Sequence, residues 1–172
     1  RLETLALTTM QQAGHAIRAM QVRGAPLIGA TAAYGLAMAL RDDASDAGLE
    51  HAITFLAGQR PTAVNLRWAL DEIRRVVAPL PLDKRATAAF KRAREICDED
   101  VETCRRIGEH GLALIRQIAA AKKPGERVDI LTHCNAGWLA CVDWGTATAP
   151  IYMAHDKGIP VHVWVDETRP RN

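Results

Sequence analysis

Leu131-Thr132-His133-Cys134-Asn135-Ala136-Gly137 sets a thiol between a short run of branched residues and a pair of small ones. If the run is a strand and a helix follows, Cys134 stands at the carboxyl end of a parallel strand, where open α/β sheets bind ligands. The incoming helix N-terminus would favour thiolate there, and Ala136 and Gly137 leave room for a substrate. On spacing alone, burial as a small apolar side chain remains equally open. Adjacent strand residues point to opposite faces, so His133 and Cys134 are not expected to act as a dyad. Cys97 and Cys104 lie seven apart on an expected helix and share a face, as packing produces. No CxxC occurs, no histidine stands two to four residues from a cysteine, and neither a metal site nor a cofactor is expected.

Two arginines offer a different chemistry. Arg23 precedes Gly24, Ala25 and Pro26, and a guanidinium beside the free N–H groups of a helix start suits a phosphate. Arg60-Pro61-Thr62-Ala63-Val64-Asn65 repeats the layout. An ordinary helix-to-helix turn accounts for Gly24 and Pro26 but gives Arg23 no role, and a solvated loop arginine accounts for Arg60. Both readings stay open. GxGxxG and the P-loop pattern are absent, which removes the usual support for a nucleotide.

The elements that must position these groups follow from periodicity and punctuation. Met10, Ala13, Ile17 and Met20 predict a helix within Thr8 to Val22, and a second runs from Pro26 to Leu40. Ser45 is the expected N-cap of a third helix, which Gly58 ends. Leu66, Leu70, Ile73 and Val77 mark a fourth, closed by Pro79 and Pro81. Residues 83–122 read as one long helix or two in tandem, with Gly108 and Gly111 at a possible break. Phe90, Ile96, Val101, Ile107, Leu114 and Ile118 would form its buried side. After the turn Lys123-Pro124-Gly125-Glu126 the texture changes: Val128 to Leu131 reads as a strand, 137–156 as a helix and 160–165 as a second strand. Strand, helix and strand make the unit of a parallel sheet. The expected fold class is therefore α/β, with a helical domain at 1–124 and the first part of a parallel-sheet domain at 125–172, cut short.

Composition narrows the function classes. The chain has 172 residues, 22 Lys and Arg against 20 Asp and Glu, and a net charge of +2, so it lacks an electrostatic footprint for nucleic acid or an anionic membrane. At 48% hydrophobic and 24% charged it is globular. The charge-free stretch from Gly24 to Leu40 falls short of the ~20 strongly apolar residues that span a bilayer, and the N-terminus lacks a secretory pattern. A cytoplasmic address is expected.

AIRAMQVRGAPLIGATAAYGLA, RPTAVNLRWAL, EDVETCRRIGEHG, ILTHCNAGWLA, GTATAPI and VDETRPRN stand in this order along the chain. That set resembles the S-methyl-5-thioribose-1-phosphate isomerases of methionine salvage. These are relatives of the regulatory subunits of the guanine-nucleotide exchange factor for translation initiation. The resemblance covers almost the whole chain. It implies a helical region followed by a Rossmann-like domain, a small sugar-phosphate substrate, no cofactor and a homodimer in the complete enzyme. It also implies that Cys134 is catalytic and that Arg23, Gly24, Ala25 and Arg60 bind substrate. The family's catalytic aspartate, in a GADRI-type motif, and a downstream Asn-Lys pair would lie beyond Asn172. Trp138, Cys141, Asp143 and Trp144 depart from the familiar local pattern. Ribose 1,5-bisphosphate isomerase and a non-catalytic regulatory subunit are the competing implications.

Overall fold

The computed structural model of the protein describes residues 3–134 and 136–166. They pack as two compact units that part between Asp98 and Glu99. The first contains α1 (Met10–Arg18), α2 (Ala25–Asp42), α3 (Asp46–Ala57), α4 (Val64–Val77) and the beginning of α5 (Leu82–Ala120). The second contains the rest of α5, β1 (Val128–Thr132), a 3-10 turn (Trp138–Ala140), α6 (Ala149–Asp156) and β2 (Val161–Val165). The chain passes from helix to strand between Ala120 and Val128, and the packing division falls inside α5.

Local chemistry sets the helix ends of the first unit. The Thr9 hydroxyl accepts the Gln12 N–H at 3.2 Å, and the Gln12 side chain accepts the Thr8 N–H at 2.7 Å, a reciprocal cap. Ser45 caps α3 by accepting the Gly48 N–H at 3.0 Å, and Gly58 follows its last turn, both as the sequence predicts. The core lies along α2, where Ala32, Ala33, Leu36 and Leu40 meet Leu56 of α3 and Leu70 of α4. Burying each such leucine is worth about 1.5–3 kcal/mol. Small side chains let the helices approach closely: a Cβ on Gly29 would stand 3.0 Å from the Asn65 carbonyl oxygen, so the second turn of α2 meets the first turn of α4.

Arg85 ties these elements together from a position only 5% exposed. Its guanidinium donates to the carbonyls of Leu80, Ala44 and Ala78 and pairs with Asp46 at 2.7 Å. It thereby satisfies carbonyls at the α4 end and in the turn before α3, which would otherwise be costly to bury.

In the second unit β1 and β2 pair in parallel, with Val128 opposite Val161 and Thr132 opposite Val165. Alternation along β1 puts Val128, Ile130 and Thr132 inward and Asp129 and Leu131 outward. Val128 and Ile130 pack with Leu112 and Ile115 of α5 and Ala154 of α6.

Two expectations are corrected, on the 137–156 helix and on the buried face of α5, and of the two alternatives for α5 the single helix is the one present. The stretch 137–156 is not one helix: a 3-10 turn and a looped segment occupy 138–148 before α6 begins at Ala149. Gly145, at φ +81°, and Trp144, at φ +65°, hold left-handed conformations that a right-handed helix cannot contain. α5 is a single 39-residue helix, and Gly108 and Gly111 do not break it. They are docking points, since a Cβ on Gly111 would lie 2.4 Å from Pro150 Cγ and one on Gly108 2.7 Å from the Met153 sulfur. Ile107, Leu114 and Ile118 are exposed, whereas Leu112 and Ile115 are the buried residues of that part of the helix. No helix among the described residues is long and apolar enough to cross a membrane.

Candidate functional site

Arg23 stands at the entry to α2. Gly24 is the N-cap residue at φ +89°, a backbone state that favours glycine, and Pro26 occupies the first turn. No side chain caps α2, and none caps α4, whose N-cap position is Ala63. α1 and α3 both carry hydroxyl caps. The first N–H groups of α2 and α4 thus keep their donor capacity for something outside the helix. One guanidinium nitrogen of Arg23, Nη1, is buried without a hydrogen-bond partner. A buried cationic donor left unpaired is expensive, and an anion would satisfy it. Ala25, the first residue of α2, is exposed, and Arg60 stands half-buried in the turn that leads to α4. The Gly29–Asn65 approach therefore brings together the elements that carry Arg23, Gly24, Ala25 and Arg60, a link that local sequence could not supply.

Cys134 lies two residues past the end of β1, exposed and at φ +67°. The left-handed region is costly for a side chain with a Cβ, and such strain concentrates at functional positions. The expected helix N-terminus beside the thiol is absent among the described residues, because α6 begins fifteen residues later. His133 turns to Asp166 instead, with Nδ1 3.1 Å from the carboxylate. The Asp166 N–H donates to the Thr132 carbonyl at 3.1 Å, which extends the ladder past β2. Asn135 and the DETRPRN residues from Glu167 onward lie outside the described residues.

A grouping that spacing did not reveal lies within this unit. Asp100 and Cys104 of α5 meet Cys141, their ligand-type atoms all within 4.8 Å of one another. Asp100 accepts the Val142 N–H at 2.8 Å, which fixes the loop after the 3-10 turn. Burial pushes the Asp100 carboxyl above its ordinary value and the Cys104 thiol up to about 12. Cys141 is also raised, mainly by burial. These are the residues that could hold a soft metal ion, although protonated thiols hydrogen-bonded in a core account for the same geometry. Cys104 and Cys141 share a cluster with Ala140 and Trp144. An i, i+4 pair on α5 meeting a loop residue 37 positions later carries no local signal.

The sequence profile of the initiation factor 2 subunit family matches residues 21–172. A methylthioribose-1-phosphate isomerase from Methylobacterium nodulans is 66% identical over 166 residues, covering 96% of this chain and 45% of that protein. One from Acidiphilium cryptum is 63% identical, covering 99% of this chain and 46% of its own length. Among solved structures, 5-methylthioribose 1-phosphate isomerase from Pyrococcus horikoshii aligns with a TM-score of 0.82 at 37% identity, over 99% of this chain and 48% of that one. The delta subunit of translation initiation factor eIF-2B from A. fulgidus aligns with a TM-score of 0.81 at 34% identity, over 99% and 49%. The chain thus spans about half the length of the relatives it matches.

Proposed function

Since this chain belongs to the initiation factor 2 subunit family, we propose that it forms part of a methylthioribose-1-phosphate isomerase, an aldose–ketose isomerase of methionine salvage. The fold alone does not divide the family, because an isomerase and a translation-factor subunit align equally well. Sequence divides it, and the observation that carries the reading is 59–66% identity to methylthioribose-1-phosphate isomerases. The unpaired Arg23 Nη1 supports it chemically, because a sugar phosphate brings the anion which that nitrogen lacks.

In this reading Arg23 and Arg60, with the N–H groups at Gly24 and Ala25, hold the phosphate, and Cys134 is the catalytic thiol. The anomeric phosphate keeps the ring closed until an acid assists its opening; hydrogen then moves from C2 to C1 to give the ketose. A cysteine with a carboxylate can run that transfer as a proton through an enediol, or manage the hydroxyl protons of a hydride shift. The two strands belong to a Rossmann-like domain, and the complete protein is a cytoplasmic homodimer with a small-molecule substrate.

The test is turnover of 5-methylthioribose 1-phosphate by the full-length protein, with ribose 1,5-bisphosphate as the comparison substrate. Faster turnover of the thioribose compound is expected. Arg23→Ala should weaken substrate binding about ten- to a hundredfold, the usual range for a lost charge-assisted hydrogen bond. Turnover of neither compound would remove the isomerase assignment, and preference for the bisphosphate would transfer it.

A further inference from the structure

We propose that the Thr132 hydroxyl is a substrate-binding group, hydrogen-bonding an oxygen at the C1–C2 end of the sugar beside Cys134. The inference rests on the isomerase reading and assigns a residue beyond it.

Among the described residues, two side-chain nitrogen or oxygen atoms are buried without a hydrogen-bond partner: Arg23 Nη1 and Thr132 Oγ1. Native structures rarely leave such atoms unpaired, and each exception calls for a cause. Arg23 has one in the phosphate. Thr132 ends β1 on the strand's inner face, in line with Val128 and Ile130, whose neighbours are aliphatic. Packing there asks for a valine, which has the same shape and no hydroxyl to desolvate. Leaving a buried hydroxyl unpaired costs about 1–3 kcal/mol.

Among the described residues, two polar groups close to it along the chain and across the ladder are already committed. The Thr132 carbonyl accepts from the Asp166 N–H, and the Asp166 carboxylate faces His133. Two residues further on, Cys134 holds its positive φ. An orphaned hydroxyl and a strained thiol-bearing residue therefore fall within three positions of each other, at the carboxyl end of a parallel strand. That is where the α/β architecture receives ligands.

A hydroxyl rather than a charged group suits the sugar end of the substrate. It can accept from a sugar hydroxyl and donate to the carbonyl that appears once the ring opens, without attracting the phosphate. A donor held in place before the carbonyl forms would act mainly on the transition state.

The experiment compares wild type, Thr132→Val and Thr132→Ser in the full-length protein, measuring kcat, KM and thermal midpoint. Thr132→Val should lower kcat/KM tenfold or more, chiefly through kcat, while its thermal midpoint stays level or rises because the orphan is gone. Thr132→Ser should remain within a fewfold of wild type. A fully active Thr132→Val overturns the proposal and leaves the isomerase reading standing. A large loss in both variants, or a loss matched by a fall in thermal midpoint, makes Thr132 a packing residue and equally overturns it. A wild-type protein inactive on both sugar phosphates removes the isomerase reading, and this inference with it.

Discussion

The thiols of this chain sit in opposite settings, and their chemistry should divide accordingly. Cys134 is exposed, whereas Cys104 and Cys141 are buried, and Cys104 is held up to about 12. At pH 8 a thiol of that pKa is thiolate in only about one molecule in ten thousand, and the thiolate is the reactive form. Alkylation of the native protein, read by peptide mass spectrometry, should label Cys134 first and spare Cys104 and Cys141 until denaturant is added. Equal labelling of all three would remove the distinction. Asp100 offers a second test. Desolvation raises its folded pKa above the ordinary 3.8, so the folded state holds that proton more tightly than the unfolded chain. Stability from this group is therefore lost as pH rises from about 4 through the folded value. Asp100→Asn keeps an oxygen for the Val142 N–H and should flatten that part of the stability–pH curve. If the curve keeps its slope in this variant, the proton on Asp100 is not what sets it.

Among the elements, the loop from Ala136 to Thr148 depends on backbone approaches that only glycine permits. Gly145 sits at φ +81°, and a Cβ there would lie 2.5 Å from the Gly137 carbonyl carbon and 2.6 Å from the Ala136 oxygen. Gly125 also has a positive φ, +85°, but no atom within 4 Å of its would-be Cβ. Gly145→Ala should therefore destabilise by well over the ~1 kcal/mol of left-handed strain alone, and Gly125→Ala by about that amount. Denaturant midpoints of the two variants decide it, and equal losses would mean that the loop yields. The same loop shows where sequence reading stops. Ser45, Gly58 and the 3.6-residue spacing of α4 are local signals, and the elements they predict are present. The stretch from 137 to 156 reads as helical, yet Gly137 pairs with Gly145 and its first part is looped. Gly108 and Gly111 look like breaks because their role, contact with α6, depends on residues some forty positions away. At the candidate site, Arg23, Arg60 and Cys134 are open to selection by residue type and local setting, and their roles are proposals. The Thr132 orphan and the Gly29–Asn65 approach become visible only once the chain is packed.

Across the whole molecule, burial is unevenly shared. Nearly all the large side chains with no meaningful exposure belong to the first unit, among them Leu36, Leu40, Leu56, Leu66, Leu70 and Ile73. Among the described residues, the second unit is held by two small clusters and exposes Leu131, Trp138, Leu139, Trp164 and Val165. A two-stranded pairing is marginal without further cover, and local stability follows buried apolar contact. α5 belongs to both units, so it carries an internal comparison that sequence composition does not bias. Its amides from Ala89 to Ile96 pack against the larger core, while those from Cys104 to Ile115 serve the smaller clusters. Native-state hydrogen exchange of the 172-residue chain should therefore fall off along this one helix. The slowest amides should lie in residues 86–96, and those in 104–120 should exchange faster, by about tenfold for each 1.4 kcal/mol of difference in local opening energy. Gly108, Gly111 and Ala113 do not interrupt the helix, whose hydrogen bonding is continuous across them. Uniform protection from 86 to 120 would mean that α5 opens as one piece and that the smaller clusters hold as firmly as the larger core.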